Sequence, residues 1–111
     1  MRHRAPVVML VISLLMGACV TGDFAPPPAV SPSLIASAWL DRLSAQELSM
    51  GREVFVSRCL ECHTLPSVRK YSRNEWPHLV ARMAGRANLT TSDQRAVIGY
   101  LRAASATMKA P

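Results

Sequence analysis

The sequence predicts a small helical domain, and three features carry that prediction. Residues 44–47, 72–75 and 91–94 each begin with Ser or Thr and end with Glu or Gln, the pattern of a helix capping box. Apolar residues recur three or four positions apart after each of these caps. Nothing in the chain indicates the alternating strands and helices of an α/β protein. We therefore expect three helices, the first of which begins at Ala45.

The predicted first helix carries one narrow apolar stripe, formed by Leu48, Gly51, Phe55 and Cys59. Gly51 costs a helix about 1 kcal/mol relative to alanine. Its place on the stripe therefore indicates that another helix, the last one, crosses closely there. The apolar face of that last helix consists of Val97, Tyr100, Leu101 and Ala104. Gly99 is expected to point elsewhere and only to weaken the last helix.

Cys59, Cys62 and His63 have the spacing that attaches a c-type haem covalently. Each thiol can form a thioether with one vinyl group of the same haem, and the histidine then lies beneath the iron as proximal ligand. A zinc site also uses paired cysteines, but it needs a second ligand pair that the other cysteine and histidines do not provide. A thioredoxin-like site expects a βαβ pattern, which the chain lacks. The motif therefore predicts one haem c as cofactor.

Residues 1–18 have the features of a bacterial export signal. A basic start precedes an apolar run at residues 7–16 that is too short to span a bilayer comfortably. Residues 15–19, Leu-Met-Gly-Ala-Cys, resemble the lipobox of bacterial lipoproteins, in which the cysteine is lipidated and becomes the mature N-terminus. Cys19 is therefore the predicted lipidation site. The alternative is ordinary cleavage after Ala18, which leaves an exported thiol without a partner.

The mature chain is predicted to consist of a linker and a domain. Residues 19–37 are rich in proline and small residues and show no apolar periodicity. As an extended linker they would reach about 50 Å from a membrane. A proline-rich ligand of a recognition domain is the alternative, but no basic residues flank the prolines. Residues 38–111 are the predicted domain, which is near the lower size limit for a self-sufficient core and would gain from a buried cofactor.

The charge of the chain gives no support to nucleic-acid binding. Thirteen basic and seven acidic residues give a formal charge of +6, and losing Arg2 and Arg4 with the signal leaves 11 and 7, or +4. No basic surface interleaved with aromatic residues and no zinc-finger spacing is present. The basic residues after the motif form either an electropositive rim for an acidic redox partner or an ordinary solvated surface. They are Arg69, Lys70, Arg73, Arg82 and Arg86.

The helix pair and the motif together resemble the class I cytochromes c over most of residues 44–104. That family packs a glycine and an aromatic residue of its first helix against an aliphatic residue and a tyrosine of its last helix. The aromatic residue stands four residues before the first haem cysteine. The matching residues here are Gly51, Phe55, Cys59, Val97 and Tyr100. The resemblance implies an all-α fold of three to four helices wrapped around one covalent haem. It also implies His63 as proximal ligand and a methionine as the usual distal ligand.

Met83 is the methionine best placed for that distal position. It shares one face of the predicted middle helix with Trp76, Leu79 and Val80, whereas His78 points the other way. Three others, Met1, Met9 and Met16, leave with the signal peptide. Met50 lies on the first helix away from its apolar stripe, and Met108 belongs to a C-terminal tail expected to fray. An ordinary core also contains such a stripe. Met83 as a core residue, His78 as the ligand, and an open site therefore remain as alternatives.

Four side chains are candidate partners of the haem propionates, namely Arg69, Tyr71, Trp76 and Arg86. Arginine pairs well with carboxylates, and buried tyrosine and tryptophan need a hydrogen-bond partner. Trp39 is expected to close the edge of the domain rather than to contact the haem.

These features predict an electron carrier, not an enzyme, on the periplasmic side of a bacterial membrane, either lipid-anchored or soluble in the periplasm. Residues 75–83 resemble the short cytochrome c subunits of periplasmic dehydrogenases. That resemblance implies a periplasmic or membrane dehydrogenase as electron donor and a cytochrome or oxidase as acceptor. The alternative is a five-coordinate haem domain that binds a small gas or reacts with peroxide, which requires that Met83 not ligate the iron. A structural lipoprotein with an accidental cysteine motif is the third hypothesis.

Overall fold

Four α-helices make up the part of the chain that the computed structural model describes, residues 26–59 and 65–108. They are α1 (Pro32–Ser37), α2 (Ala45–Arg58), α3 (Trp76–Met83) and α4 (Thr91–Thr107), with 3-10 turns at Trp39–Asp41 and Val68–Lys70. No strand occurs within these residues, which confirms the all-α prediction. None of these four helices is long and apolar enough to cross a bilayer. The predicted export signal, Cys19, Cys62 and His63 lie outside the described residues.

α2 begins where the sequence predicts, at Ala45. The hydroxyl of Ser44 accepts a hydrogen bond from the N–H of Glu47 at 3.1 Å, and the Glu47 carboxylate accepts one from the N–H of Ser44 at 2.8 Å. The backbone N–H of Ser44, and then its hydroxyl, hold the pKa of Glu47 below its ordinary value, because both bonds favour the charged carboxylate. The buried residues of α2 are Leu48, Gly51 and Phe55.

α4 begins one residue earlier than the sequence predicts. Its cap is Thr90 rather than Thr91, and the reciprocal partner is Asp93 rather than Gln94. The Thr90 hydroxyl accepts from the N–H of Asp93 at 3.1 Å, and Asp93 accepts from the N–H of Thr90 at 3.0 Å. A charged carboxylate is favoured in the first turn of a helix and bonds more strongly than an amide, which explains the choice of Asp93. Gln94 donates instead to the carbonyl of Leu89 at 3.3 Å.

Replacing Thr90 by alanine should therefore destabilise the domain by about 1 kcal/mol, because the capping hydrogen bond is lost. Thr91→Ala is the matched control and should cost much less, since Thr91 is exposed and its side chain makes no hydrogen bond within the described residues. Denaturant unfolding of the two single variants measures the difference. Equal losses of stability in the two variants would contradict a cap at Thr90.

α3 begins at Trp76, three residues later than a cap at Ser72 implies. Only half of the predicted capping box forms, because the N–H of Ser72 donates to Glu75 at 2.7 Å while residues 73–75 form a turn. Pro77 explains the late start. Its ring has no N–H and would clash with a preceding helical turn, whereas a start at Trp76 places it in the first turn, where proline is tolerated.

α2 and α4 cross closely at Gly51, as predicted. A Cβ added to Gly51 would lie 2.6 Å from the carbonyl carbon of Ala96 and 2.8 Å from the Cβ of Tyr100, well inside van der Waals contact. Gly99 corrects the prediction, because it is buried instead of turned away. A Cβ on Gly99 would lie 3.3 Å from the Cγ of Leu43, so this glycine makes room for the leucine that precedes α2.

Aromatic side chains join α2, α3 and α4 in the core. The rings of Phe55 and Trp76 meet edge to face with their centroids 6.1 Å apart, and the rings of Phe55 and Tyr100 lie 6.4 Å apart. Tyr71 packs edge-on against Trp76 at 5.2 Å. Phe55, Trp76 and Tyr100 are all fully buried. The three longer helices therefore share one core.

The packed part of the chain begins before the predicted boundary at residue 38. α1 lies on α4, where the hydroxyl of Ser37 donates to the carbonyl of Ala103 at 3.0 Å. Leu34 of α1 is 1% exposed and belongs to the core. Proline is favoured in the first turn of a helix, so Pro32 starts α1 instead of extending a linker. The linker predicted for residues 19–37 is therefore wrong for the stretch that forms α1.

Two prolines that precede α1 are tied to the helix pair as well. Arg52 of α2 donates to the carbonyls of Pro27 and Pro28, at 3.1 Å each. The hydroxyl of Tyr100 on α4 donates to the carbonyl of Pro28 at 2.6 Å. Burial raises the pKa of Tyr100 to about 12, so this hydroxyl stays protonated and remains a donor. The side chains of Arg52 and Tyr100 thus supply the hydrogen-bond donors for carbonyls that lie outside regular secondary structure.

Candidate haem-attachment site

Cys59 lies at the C-terminal end of α2, where the chain leaves the helix toward the rest of the motif. Its backbone is still helical, with φ −73° and ψ −29°. Its side chain is half-buried and packs against the core. The first cysteine of the motif is thus fixed by a helix that the core holds. Cys62 and His63 lie outside the described residues, so covalent attachment and proximal ligation stay predictions.

Arg58, the residue before Cys59, reaches across to the turn that follows α3. Its Nε and Nη2 both donate to the carbonyl of Ala87 at 3.3 Å, and Nη2 also donates to the carbonyl of Asn88 at 3.0 Å. A cation in the last turn of α2 also complements the negative end of the helix dipole. No sequence pattern points to Arg58, because an arginine that bonds to backbone carbonyls requires no particular side chain opposite it.

Met83 is the last residue of α3 and is half-buried. It lies on the side of the helix that carries Leu79 and Val80, whereas His78 and Arg82 are exposed, as the sequence predicts. Within the described residues, Met83 is not among the partly buried side chains that pack against the core cluster. Both the distal-ligand hypothesis and the alternative that Met83 fills the core stay predictions.

Hydrogen bonds connect Arg58, the residue before Cys59, to the turn after α3 and so to the backbone of Met83. Arg58, next to Cys59 in the chain, holds the carbonyl of Ala87. The N–H of Ala87 in turn donates to the carbonyl of Met83 at 3.0 Å. The C-terminal ends of α2 and α3 are therefore held together. The chain next to Cys59 is thus linked to the end of α3 that carries Met83.

The two other methionines of the described chain differ from Met83. Met50 is 43% exposed on α2, which agrees with its predicted place away from the stripe. Met108 is half-buried, packs against the core and donates its N–H to the carbonyl of Ala104 at 3.0 Å. The prediction that Met108 belongs to a frayed tail is therefore wrong, because its N–H closes the last turn of α4 and its side chain packs against the core. Met108 is accordingly the second methionine to test as a ligand.

Of the four candidate propionate partners, the structure excludes one, and the other three remain candidates. The Nε1–H of Trp76 donates to the carbonyl of Val68 at 3.1 Å inside the core. An indole has only this one donor, so Trp76 is not available to a propionate and that prediction is wrong. Tyr71 is half-buried, and its hydroxyl makes no hydrogen bond within the described residues. Arg69 and Arg86 are exposed and have no ion pair within the same residues.

One of the five basic residues of the predicted electropositive rim, Arg73, is engaged in an ion pair. The Nη2 of Arg73 lies 2.8 Å from the carboxylate of Asp41, which also accepts from Nε of Arg102 at 3.2 Å. This network joins the turn after α1 to α4 and to the loop before α3. The remaining members are exposed and have no ion pair within the described chain; they are Arg69, Lys70, Arg82 and Arg86.

The sulfur donors of this site are of the types that a c-type haem takes. A thiol such as that of Cys59 forms the thioether, and a methionine thioether such as that of Met83 serves as an axial ligand.

Within residues 26–59 and 65–108, no three His, Cys, Asp or Glu side chains form a metal-binding group. A cleft of about 550 Å³ lies between α2 and the segment before α1, and neither Cys59 nor Met83 lines it.

The comparisons with known proteins give no match to a family model, to a curated protein or to a solved structure.

Proposed function

We propose that the protein is an electron carrier of the class I cytochrome c type, with one covalent haem c and a lipid anchor. The observation that carries the proposal is the hydrogen-bonded link from Arg58, next to Cys59 of the attachment motif, through Ala87 to the backbone of Met83. The two described residues that would hold the haem, Cys59 by a thioether and Met83 by its sulfur, thus belong to helix ends that are linked to each other.

Each residue of the proposed site has one task. Cys59 and Cys62 hold the haem by thioethers, His63 is the proximal ligand, and Met83 is the distal ligand. Bound haem c supplies a one-electron redox couple. The core aromatic residues keep α2 and α3 fixed relative to each other, which holds the ends that carry Cys59 and Met83. The exposed Arg69 and Arg86 and the half-buried Tyr71 are the remaining propionate partners.

The proposed partners are redox proteins rather than substrates. The exposed cations of the rim suit an acidic docking surface, because opposite charges steer two proteins together and speed their encounter. The donor is a periplasmic or membrane dehydrogenase, and the acceptor is a cytochrome or an oxidase. The protein itself is not an enzyme in this proposal. It works on the periplasmic side of a bacterial membrane, held there by a lipid on Cys19.

Covalent haem is the property that tests this proposal. The full chain, produced in a bacterium that attaches haem to exported proteins, should stain for haem on a denaturing gel and show the reduced spectrum of a c-type cytochrome. Cys59→Ala should remove or strongly weaken the stain and leave a largely unfolded chain, because the core of so small a domain provides little stability without the haem. Ser57→Ala, at an exposed position of α2, is the control and should keep the haem. A wild-type chain without covalent haem would refute the proposal.

A further inference from the structure

One surface of the described chain exposes large apolar side chains. Trp39 and Leu40 are each 76% exposed, and Ile35 is 38% exposed. Ile35 lies in α1, and Trp39 and Leu40 lie in the 3-10 turn that follows after Ala38, so the three residues are close neighbours along the chain. We call these three residues the Trp39 patch. The sequence predicts that Trp39 closes the edge of the domain. That prediction is wrong, because the side chain is exposed.

The Trp39 patch belongs to a rigid element. Leu34 and Ala38, which directly precede Ile35 and Trp39 in the chain, are fully buried. Asp41 fixes the end of the stretch through its ion pairs with Arg73 and Arg102. Exposed apolar side chains on a fixed, well-packed element indicate a surface that meets an apolar partner.

The chain before α1 limits what that partner can be. Pro27 and Pro28 are bonded to Arg52 and Tyr100, so only residues 20–26 separate the predicted lipidated cysteine from the packed domain. Such a stretch spans less than about 30 Å even when fully extended. Such a tether keeps the domain within about 30 Å of the lipid surface, in contrast to the reach of about 50 Å that a full linker would allow.

We propose that the Trp39 patch rests on the lipid surface to which Cys19 anchors the chain, and that this contact fixes the orientation of the domain. The inference rests on the lipidation in the proposed function and adds the face that is turned to the membrane. Tryptophan favours the headgroup region, and leucine and isoleucine side chains enter the hydrocarbon boundary. Arg42 is exposed directly after the patch and adds attraction to anionic headgroups.

Tryptophan quenching by lipid tests the proposal directly. The mature, lipidated holoprotein is reconstituted in vesicles of phosphatidylcholine with phosphatidylglycerol, with and without bromine on the acyl chains. Bromine quenches a tryptophan that it contacts, and Trp76 is fully buried, so the change reports on Trp39. We expect clear quenching in the wild type and none in Trp39→Ser. Both proteins should have the same haem spectrum.

The affinity of the patch alone provides a second measurement. A chain with Cys19→Ser, exported by a cleavable secretory signal peptide, lacks the lipid. Its partitioning into the same vesicles is measured by sedimentation. The double change Trp39→Ser and Leu40→Ser should lower partitioning by at least about tenfold, because it removes the apolar side chains that enter the bilayer. Met50→Ser is the matched control, since Met50 is also exposed but lies on α2 outside the patch.

Several outcomes would overturn the proposal. Equal emission in brominated and plain vesicles would do so, and so would the absence of a lipid on Cys19. If the patch variants lose a dimer while vesicle partitioning is unchanged, the patch binds a second copy of the chain. If they lose only the rate of reduction by a dehydrogenase, the patch binds that protein. A chain without covalent haem would refute the electron-carrier function but would leave the lipid quenching in place, so the two failures are distinguishable.

Discussion

Gly51→Ala is expected to be the most damaging single substitution in the helical core. The added methyl group would overlap the backbone of Ala96 and the Cβ of Tyr100, and neither is the movable end of a flexible side chain. α2 and α4 would have to separate, which opens the core that they share. We expect a loss of about 3 kcal/mol or more, at the upper end of what overpacking costs. In a domain of this size that corresponds to a fall in Tm of more than about 10 °C.

Gly85→Ala is the matched control for this prediction. Gly85 is exposed, its φ is not positive, and nothing lies within 4 Å of the position that a Cβ would take. Alanine there should be neutral or stabilise slightly, because it restricts the unfolded chain. Thermal unfolding of the two holoproteins, followed by circular dichroism, measures the difference. If both variants unfold at the wild-type temperature, the close crossing at Gly51 is wrong.

Met83→Ala is expected to have the largest effect on the proposed redox site. Ligation by the thioether should keep both oxidation states low-spin and raise the potential above that of nitrogen ligation. The wild-type oxidised protein should show a weak near-infrared sulfur-to-iron band, and the reduced protein should bind carbon monoxide poorly. Met83→Ala should abolish the band and allow carbon monoxide to bind readily. Absorption spectra of the oxidised, reduced and carbonyl forms measure these properties.

The other methionines and one histidine serve as comparisons for Met83→Ala. Met50→Ala and His78→Ala should leave the spectra unchanged, because both side chains are exposed. Met108→Ala should also leave the near-infrared band in place; loss of the band in this variant alone would identify Met108 as the ligand. A wild-type protein that is already high-spin and binds carbon monoxide would favour the five-coordinate haem domain over the electron carrier.

Local sequence patterns were sufficient for the helices whose first turns carry a clear cap. The start of α2 and the close crossing at Gly51 follow from a capping box and from a glycine on an apolar stripe. α4 shows the limit of this reasoning, since adjacent threonines at 90 and 91 offer two registers and only the carboxylate of Asp93 decides between them. For α3 the same kind of cap is overridden by Pro77, whose steric effect extends back over the preceding turn.

Long-range contacts explain what the sequence did not predict. The segment before residue 38 has the composition of a linker, but Arg52 and Tyr100, far along the chain, supply donors for its carbonyls. Arg58 has no motif, because its partners are the backbone carbonyls of Ala87 and Asn88. Such contacts depend on the tertiary fold, so composition and periodicity carry no trace of them.

The crossing of α2 and α4 also has a consequence for the order of events in folding. Contact between Gly51 and Ala96 closes a loop that contains residues 52–95, and closing a loop of this length costs entropy before any packing is gained. Cys59 and Cys62 both lie inside that loop. Thiols in an open chain are accessible to attachment enzymes, whereas the closed helix pair holds Cys59 half-buried. In the proposed cytochrome, haem should therefore attach fastest to a chain in which α2 and α4 have not yet met.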